Sequence, residues 1–172
     1  MHTRLVERAD AHALAAIYNP EVIETTVTFE LVPRSVDDQT AWIDEHRGAH
    51  VAIVAVGDPG DAGQKGARDE TILGFASLGP FRDKAAYATT VESSVYVDRS
   101  SRAQGVGRLL LQDLLLAATA GGFHAVIARI VGENEASIQL HLRCGFEHVG
   151  VEHEVGRKHG RWLDVIELQR LL

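Results

Sequence analysis

Cysteine is nearly absent from this chain: Cys144 is alone among 172 residues. With no second thiol there can be no intramolecular disulfide, and with no C-x-x-C pair there is no structural zinc site of that spacing. Basic charge is also in short supply. Seventeen Lys and Arg stand against 24 Asp and Glu, a formal net charge of -7. That balance argues against a nucleic-acid footprint and a basic membrane-surface patch, so an anionic ligand has to be met locally. There is no run of about 18 apolar residues to span a bilayer. No charged stretch followed by an apolar one opens the sequence, so neither a membrane span nor an export signal is expected, and a reducing cytoplasm fits. What remains is enough chain to close a core without disulfides or metal, and a single domain over residues 1–172 is expected.

The pattern along the chain is strand and helix in alternation. Arg4 to Ala9, RLVERA, predicts a short strand. DAHALAAIYN, with Asp10 as N-cap, predicts a helix, and SVDDQTAWIDEHRG a second one. In the second helix Ser35 is the N-cap, acids fill the first turn, His46 and Arg47 the last, and Gly48 stops it. HVAIVAV (residues 50–56) reads as a buried strand. Residues 57–70 hold glycine, proline and charge but nothing to bury, which predicts a mobile hairpin connection. No G-K-[ST] follows those glycines, so they do not form a phosphate loop. TILGFASLG and TTVESSVYVDR are two long strands around PFRDKAAYA. In the second, Val91, Ser93, Val95 and Val97 share one face and Glu92, Ser94 and Tyr96 the other. An apolar helix from Gly105 to about Ala120, closed by Gly121 and Gly122, precedes the strand HAVIARIV. A short helix, NEASIQLHLRCGF, is capped by Asn134 and stopped by Gly145. EHVGVEHEV and RWLDVIELQRL, joined by GRKHG, close the chain. The fold class is α/β, of the α+β type, with a central mixed sheet flanked by helices.

RAQGVGRLLL, Arg102 to Leu111, places a cation and two glycines at a helix start. Bare backbone at Gly105 and Gly107 lets successive N–H groups approach a phosphate, and the helix N-terminus adds partial positive charge. The dipole contributes about 0.3 to 2 kcal/mol, whereas micromolar binding needs about 8, so Arg102 and further contacts must share the load. The stretch matches the R-x-x-G-x-G/A signature by which GCN5-related N-acetyltransferases hold the pyrophosphate of acetyl-coenzyme A, and the element order resembles that superfamily over nearly the whole chain. Within it the sequence is similar to the phosphinothricin-type amino-acid acetyltransferases. IYN (17–19), TVTFE (26–30), VESSVYV (91–97) and RKHGRWLDV (157–165) carry that second likeness. The resemblance implies a cofactor loop of Arg102, Ala103, Gln104, Gly105, Val106, Gly107 and Arg108. It also implies that the pantetheine arm pairs along Val95, Tyr96 and Val97, with Asn134 bonding the arm.

Acetyl transfer needs a neutral amine, a polarised thioester and a proton for the departing thiolate. On its residues alone, Glu92 reads either as a strand glutamate paired with a nearby cation or as a carboxylate whose apolar setting raises its basicity. The family's catalytic glutamate falls at this VES position and implies the general base. His141 stands where the phosphinothricin-type enzymes carry histidine, which implies orienting the amine or assisting proton transfer; otherwise it is a helix histidine at the core edge. An oxyanion donor is expected from the backbone of the central strand, where splayed strands leave N–H groups free. Arg82, Lys84 and Tyr87 match the family's positions for an anionic substrate group, with Phe29 lining the same pocket. The family's usual tryptophan two residues after the tyrosine is Thr89 here. Trp162 and His159 are expected to border the pocket, Trp42 to be core, and Cys144 to pack as a small hydrophobe.

The function implied is acetyl transfer from acetyl-coenzyme A to the α-amine of a small amino acid with a phosphinate, sulfone or sulfoximine tail. Direct attack in a ternary complex, no metal and a homodimer go with it. Two alternatives stay open: the same fold acting on a polyamine or a peptide N-terminus, and a coenzyme-A-binding module without turnover. A nucleotide-binding α/β protein would need an acidic ribose partner at a second parallel strand, and none is evident.

Overall fold

TILGFASLGP is apolar at both parities and folds as the central strand β4 (Thr71–Pro80), with its first eight residues buried. The computed structural model describes residues 1–58, 62–66 and 70–172. Before β4 come β1 (His2–Leu5), α1 (Ala11–Glu24), α2 (Val36–Glu45), β2 (Ala52–Gly57) and β3 (Gln64–Lys65). After it come β5 (Thr90–Val97), α3 (Val106–Ala120), β6 (Ala125–Val131), α4 (Glu135–Arg143), β7 (Glu147–Lys158) and β8 (Arg161–Leu171). One sheet runs in the order β1-β2-β4-β5-β6-β8-β7, with the short β3 added on β4. All its pairings are antiparallel except β5 with β6, whose crossover is α3.

Each face of the sheet carries its own core. On one face Leu110, Leu111 and Leu114 of α3 are fully buried against Leu78, Val91 and Leu168. Each is worth about 1.5–3 kcal/mol in removed apolar surface. On the other, Leu14, Ile17 and Tyr18 of α1 and Ile43 of α2 pack on Val54 and Phe75. A bulge lets β4 serve both. Ala55 pairs Gly74 while Val56 pairs Ile72, leaving Leu73 as the extra residue. Leu73, Ala76 and Leu78 therefore all reach the α3 side although their parity differs.

Several expected boundaries move for identifiable reasons. β1 covers His2–Leu5 rather than 4–9, because Arg8–Asp10 closes a 3-10 turn. Asp10 precedes α1 but does not cap it. Its carboxylate accepts from the Glu7 N–H at 2.9 Å and from Arg4 Nη1 at 2.8 Å. α1 runs past Asn19, through Pro20, to Glu24. Ser35 caps α2 as expected, sharing a capping box with Asp38, but that helix ends at Glu45, before His46 and Arg47. The 57–70 connection gains β3, and its residues 59–61 and 67–69 lie outside the described residues. β7 extends further than expected, to Lys158, while β8 keeps the expected bounds, Arg161–Leu171. Lys158 pairs Arg161 across a two-residue turn at His159 and Gly160, both with positive φ (50° and 75°).

Candidate active site

β5 and β6 pair only from Thr90↔Ala125 to Glu92↔Ile127. Beyond that point β6 turns to β8 and β5 stays with β4, so the two parallel strands splay as the sequence reading anticipated. A cavity of about 780 Å³ opens in the splay. Its walls are the β5 residues Val95, Tyr96 and Val97, the start of α3, and Asn134, Ser137 and His141 around α4. Arg102, Ala103, Gly105, Val106, Gly107 and Arg108 all line it. Gln104 does not, because its Nε2 turns to the Ser100 carbonyl at 3.0 Å.

Gly105 is the N-cap of α3 at φ 86°, a left-handed conformation that favours glycine. Leu109 N–H is bonded to the Gly105 carbonyl at 3.0 Å. The three amides before it, of Val106, Gly107 and Arg108, have no intrahelical acceptor and are free for an anion. At Gly107 a Cβ would stand 3.2 Å from Leu140 Cδ2, so its absence also lets α4 close against α3. Asn134 accepts from the Ser137 N–H at 3.3 Å, capping α4 on the opposite wall.

Arg102 is held by a residue that sequence reasoning missed. Its Nη2 donates to Glu21 Oε1 at 2.9 Å, and Arg99 Nε donates to the same oxygen at 2.9 Å. Glu21 itself is buried in α1. Its place two residues beyond the IYN motif was the available signal. This carboxylate fixes the direction of the Arg102 side chain, which is otherwise half exposed. Glu21→Gln should raise KM for acetyl-coenzyme A about fivefold with kcat nearly unchanged, read from initial rates at saturating acceptor.

His141 lies in the same cleft, edge-on to Phe146 with ring centroids 5.0 Å apart. Its Nδ1 is 2.8 Å from the Ser137 carbonyl, which can only accept, so Nδ1 carries the hydrogen and Nε2 presents a lone pair. Burial pushes the imidazole pKa down, against the carbonyl contact, and favours this neutral form. Nε2 is buried with no partner. The cleft thus offers free amides, a fixed guanidinium and an orphaned buried acceptor. That set fits a diphosphate at one end and a donor-bearing arm such as pantetheine along the other.

A second cavity, about 500 Å³, holds the side chains of the other β5 parity: Glu92, Ser94 and Tyr96. It shares Val27, Ser94, Tyr96 and Arg129 with the first, so the two adjoin along β5. Burial raises the Glu92 pKa above the ordinary carboxylate range, and the Arg129 charge partly opposes the rise. Arg129 is ion-paired with Glu152. Across the cavity, Arg34 stacks over Tyr18 at 4.4 Å and Trp42 at 5.5 Å. The Tyr18 hydroxyl meets Thr28 Oγ1 at 2.9 Å. Phe29 lines this cavity as expected. Trp42 packs on Phe75 as core and lines the cavity as well.

Arg82, Lys84 and Tyr87 line neither cavity. Arg82 lies over Phe81 at 4.7 Å and Tyr87 at 5.4 Å on the exposed loop before β5. Thr89, next in that loop, is exposed. Trp162 is 59% exposed and His159 reaches the Thr25 carbonyl, so neither borders the pocket directly. Cys144 is buried in the α3-side core, where burial raises its pKa. The cations in the second cavity are instead Arg34 and Arg129. Neither belongs to the motifs quoted for the resemblance, although Tyr18 and Thr28 beside them do.

Residues 3–166 match the family model described as Acetyltransferase (GNAT) domain. The chain belongs to the GNAT acetyltransferases. It is 39% identical to the phosphinothricin N-acetyltransferase of Streptomyces coelicolor, covering 95% of this chain and 91% of that protein. It is likewise 39% identical to the L-methionine sulfoximine/L-methionine sulfone acetyltransferase of Pseudomonas paraeruginosa, over 94% of this chain and 88% of that one. A solved phosphinothricin acetyltransferase from Sinorhizobium meliloti, in complex with acetyl-coenzyme A, superposes with TM-score 0.89. That pair is 33% identical over 99% of this chain and 87% of that one. This GNAT enzyme is an acetyl-coenzyme-A-dependent N-acetyltransferase of the phosphinothricin type. Among the described residues no group of His, Cys, Asp or Glu could hold a metal, and no helix is long and apolar enough to cross a membrane.

Proposed function

We propose that this GNAT enzyme acetylates the α-amine of a small amino acid carrying a phosphinate, sulfone or sulfoximine tail, and that the whole chain, 1–172, acts as one catalytic domain. The observation that carries the reading is the junction along β5, where a half-buried carboxylate, Glu92, faces a compact cavity that adjoins the cofactor cleft at Ser94 and Tyr96. When bound, acetyl-coenzyme A supplies a thioester whose carbonyl carbon takes the amine and whose C–S bond breaks. Glu92 takes the proton the amine must lose, directly or through a water, and its raised pKa suits that task. His141, neutral and lining the cleft with a buried, unpartnered Nε2, orients the substrate amine or assists proton transfer. Backbone amides on the unpaired side of β5 are the oxyanion donors. Arg34 and Arg129 supply positive charge for an anionic or strongly dipolar tail, and the names of the S. coelicolor and P. paraeruginosa relatives point to the same substrate class. Blocking such an amine would detoxify a glutamate-like compound, which makes resistance the proposed biological role.

Arg82, Lys84 and Tyr87 remain candidates for the same tail on one condition, that a second copy of the chain brings them to the cavity. The homodimer belongs to this proposal. Val149, Val151 and Val155 are each about half exposed on the edge strand β7, apolar surface that a partner would cover. A cytoplasmic setting is proposed with it, supported by the lone, buried thiol.

The test is a thiol-release screen of amino acids and their phosphinate and sulfone analogues. We expect turnover to be confined to small α-amino acids and fastest with oxyanion or sulfonyl tails. Preference for polyamines or peptides would overturn the substrate assignment, and no thiol release with any amine would leave a binding module. In the same screen, Arg82→Ala with Lys84→Ala should raise KM for anionic-tailed acceptors alone. Unchanged KM would leave Arg34 and Arg129 as the anchors.

A further inference from the structure

The RKHGRWLDV stretch carries family likeness, yet of its side chains only Val165 borders a cavity, and Lys158 in its midst is 4% exposed. A buried ammonium needs its charge met. Among the described residues no carboxylate lies within ion-pair distance of it. Its Nζ donates instead to two backbone carbonyls, of Thr28 at 2.8 Å and of Glu21 at 3.4 Å. Glu21 belongs to the last turn of α1, whose carbonyls lack intrahelical donors and carry the negative end of the helix dipole. Thr28 belongs to the loop that crosses from α1 over the acceptor cavity and brings Val27, Thr28 and Phe29 to its wall.

Two further contacts join the same hairpin to the same loop. Phe29 lies on Gly156, where a Cβ would come within 2.3 Å of the ring. His159 Nε2 is 3.3 Å from the Thr25 carbonyl. The loop has no regular structure of its own from Thr25 to Ser35, so its course depends on such anchors.

We infer that Lys158 is a positioning residue for the acceptor site: reaching from the β7–β8 hairpin, it ties the end of α1 to the Thr25–Glu30 loop and so fixes the wall that Thr28 and Phe29 present to the acceptor. The inference rests on the acceptor occupying the cavity of Glu92, as proposed above. Lys158 touches no reacting group. It therefore acts chiefly on acceptor affinity, because the side chains whose wall it fixes, Thr28 and Phe29, line the acceptor cavity and not the cofactor cleft.

The experiment compares Lys158→Met, Lys158→Gln and Lys158→Arg with the wild-type chain. Hydrogen exchange is followed over residues 25–30, with the best acceptor from the screen used for kinetics. Exchange of the loop amides should speed up about tenfold in Lys158→Met while β4 is unchanged, a result that needs no acceptor. KM for the acceptor should rise about tenfold, with kcat and the acetyl-coenzyme A Kd within about twofold of wild type. Arg, which restores donors to both carbonyls, should recover most of the KM, whereas a side chain needed only for packing would be replaced as well by Met. If Met prevents folding, Gln keeps a donor and is read the same way. Unchanged loop exchange, or kcat falling in step with kcat/KM, would overturn the assignment. A wild-type chain that turns over no acceptor yet shows faster loop exchange in the variant would retain the tie and sink the acceptor reading instead.

Discussion

Glu92→Gln should lower kcat by about 10²- to 10⁴-fold, the range that a positioned general base contributes. Acetyl-coenzyme A should still bind with wild-type affinity, because Glu92 lines the second cavity and not the cofactor cleft. Gln keeps the volume and one acceptor, so strand packing is preserved and the loss is chemical. The pH profile gives the sharper signature. A base must be deprotonated to act, so kcat/KM should rise with pH through the Glu92 pKa. Burial raises that pKa, so the limb should lie above the ordinary glutamate value of about 4.3. In Gln the limb should vanish from whatever activity remains. Arg129 lowers the Glu92 pKa through its charge, so removing that cation should move the limb to higher pH. A Glu92→Gln enzyme with wild-type turnover, or one that retains the same acidic limb, would exclude this carboxylate as the base.

Most of the cofactor cleft was legible in the sequence, whereas of the second cavity only Glu92 and Phe29 were, and the difference is one of contact order. RAQGVGRLLL is a local device: a cation, a left-handed glycine and a helix start lie within ten residues, and each leaves a mark on residue type. The alternation of TVESSVYV likewise sorted Glu92, Ser94 and Tyr96 onto one face before any partner strand was known. Arg34 and Arg129 have no such mark. An arginine in a loop and one in a strand look like solvated charges until α1, α2 and β6 are folded around the same space. Lys158 meets carbonyls 130 and 137 residues away, which no local pattern encodes. Sequence proximity is equally uninformative in the other direction. Arg82 and Lys84 are neighbours of the catalytic strand in sequence, yet the loop that holds them turns outward onto Phe81 and Tyr87.

Gly74 leaves no mark in the sequence either, and Gly74→Ala should be among the most disruptive small substitutions in the chain. β4 and β5 approach so closely at the Gly74↔Val97 pair that an added Cβ would lie 2.6 Å from the Tyr96 carbonyl oxygen and 3.1 Å from Leu110 Cδ1. The first contact is backbone and cannot rotate away. Relief requires the end of β5 to shift, and that segment supplies Tyr96 and Val97 to the cofactor cleft. Overpacking of this kind costs about 1–3 kcal/mol, which for a chain of this length lowers Tm by about 2–4 °C per kcal/mol. Acetyl-coenzyme A affinity should fall with it, since the strand edge offered to the pantetheine arm is displaced. Gly79→Ala is the matched control: in the same strand, paired with Glu92, a Cβ there meets nothing within 4 Å. It should be neutral or stabilise by about 0.4–1 kcal/mol through the unfolded chain. Equal Tm for the two variants would show that the β4–β5 approach is not the constraint that fixes the cleft. A Gly74→Ala chain with lowered Tm and intact cofactor affinity would separate the stability of the sheet from the geometry of its splay.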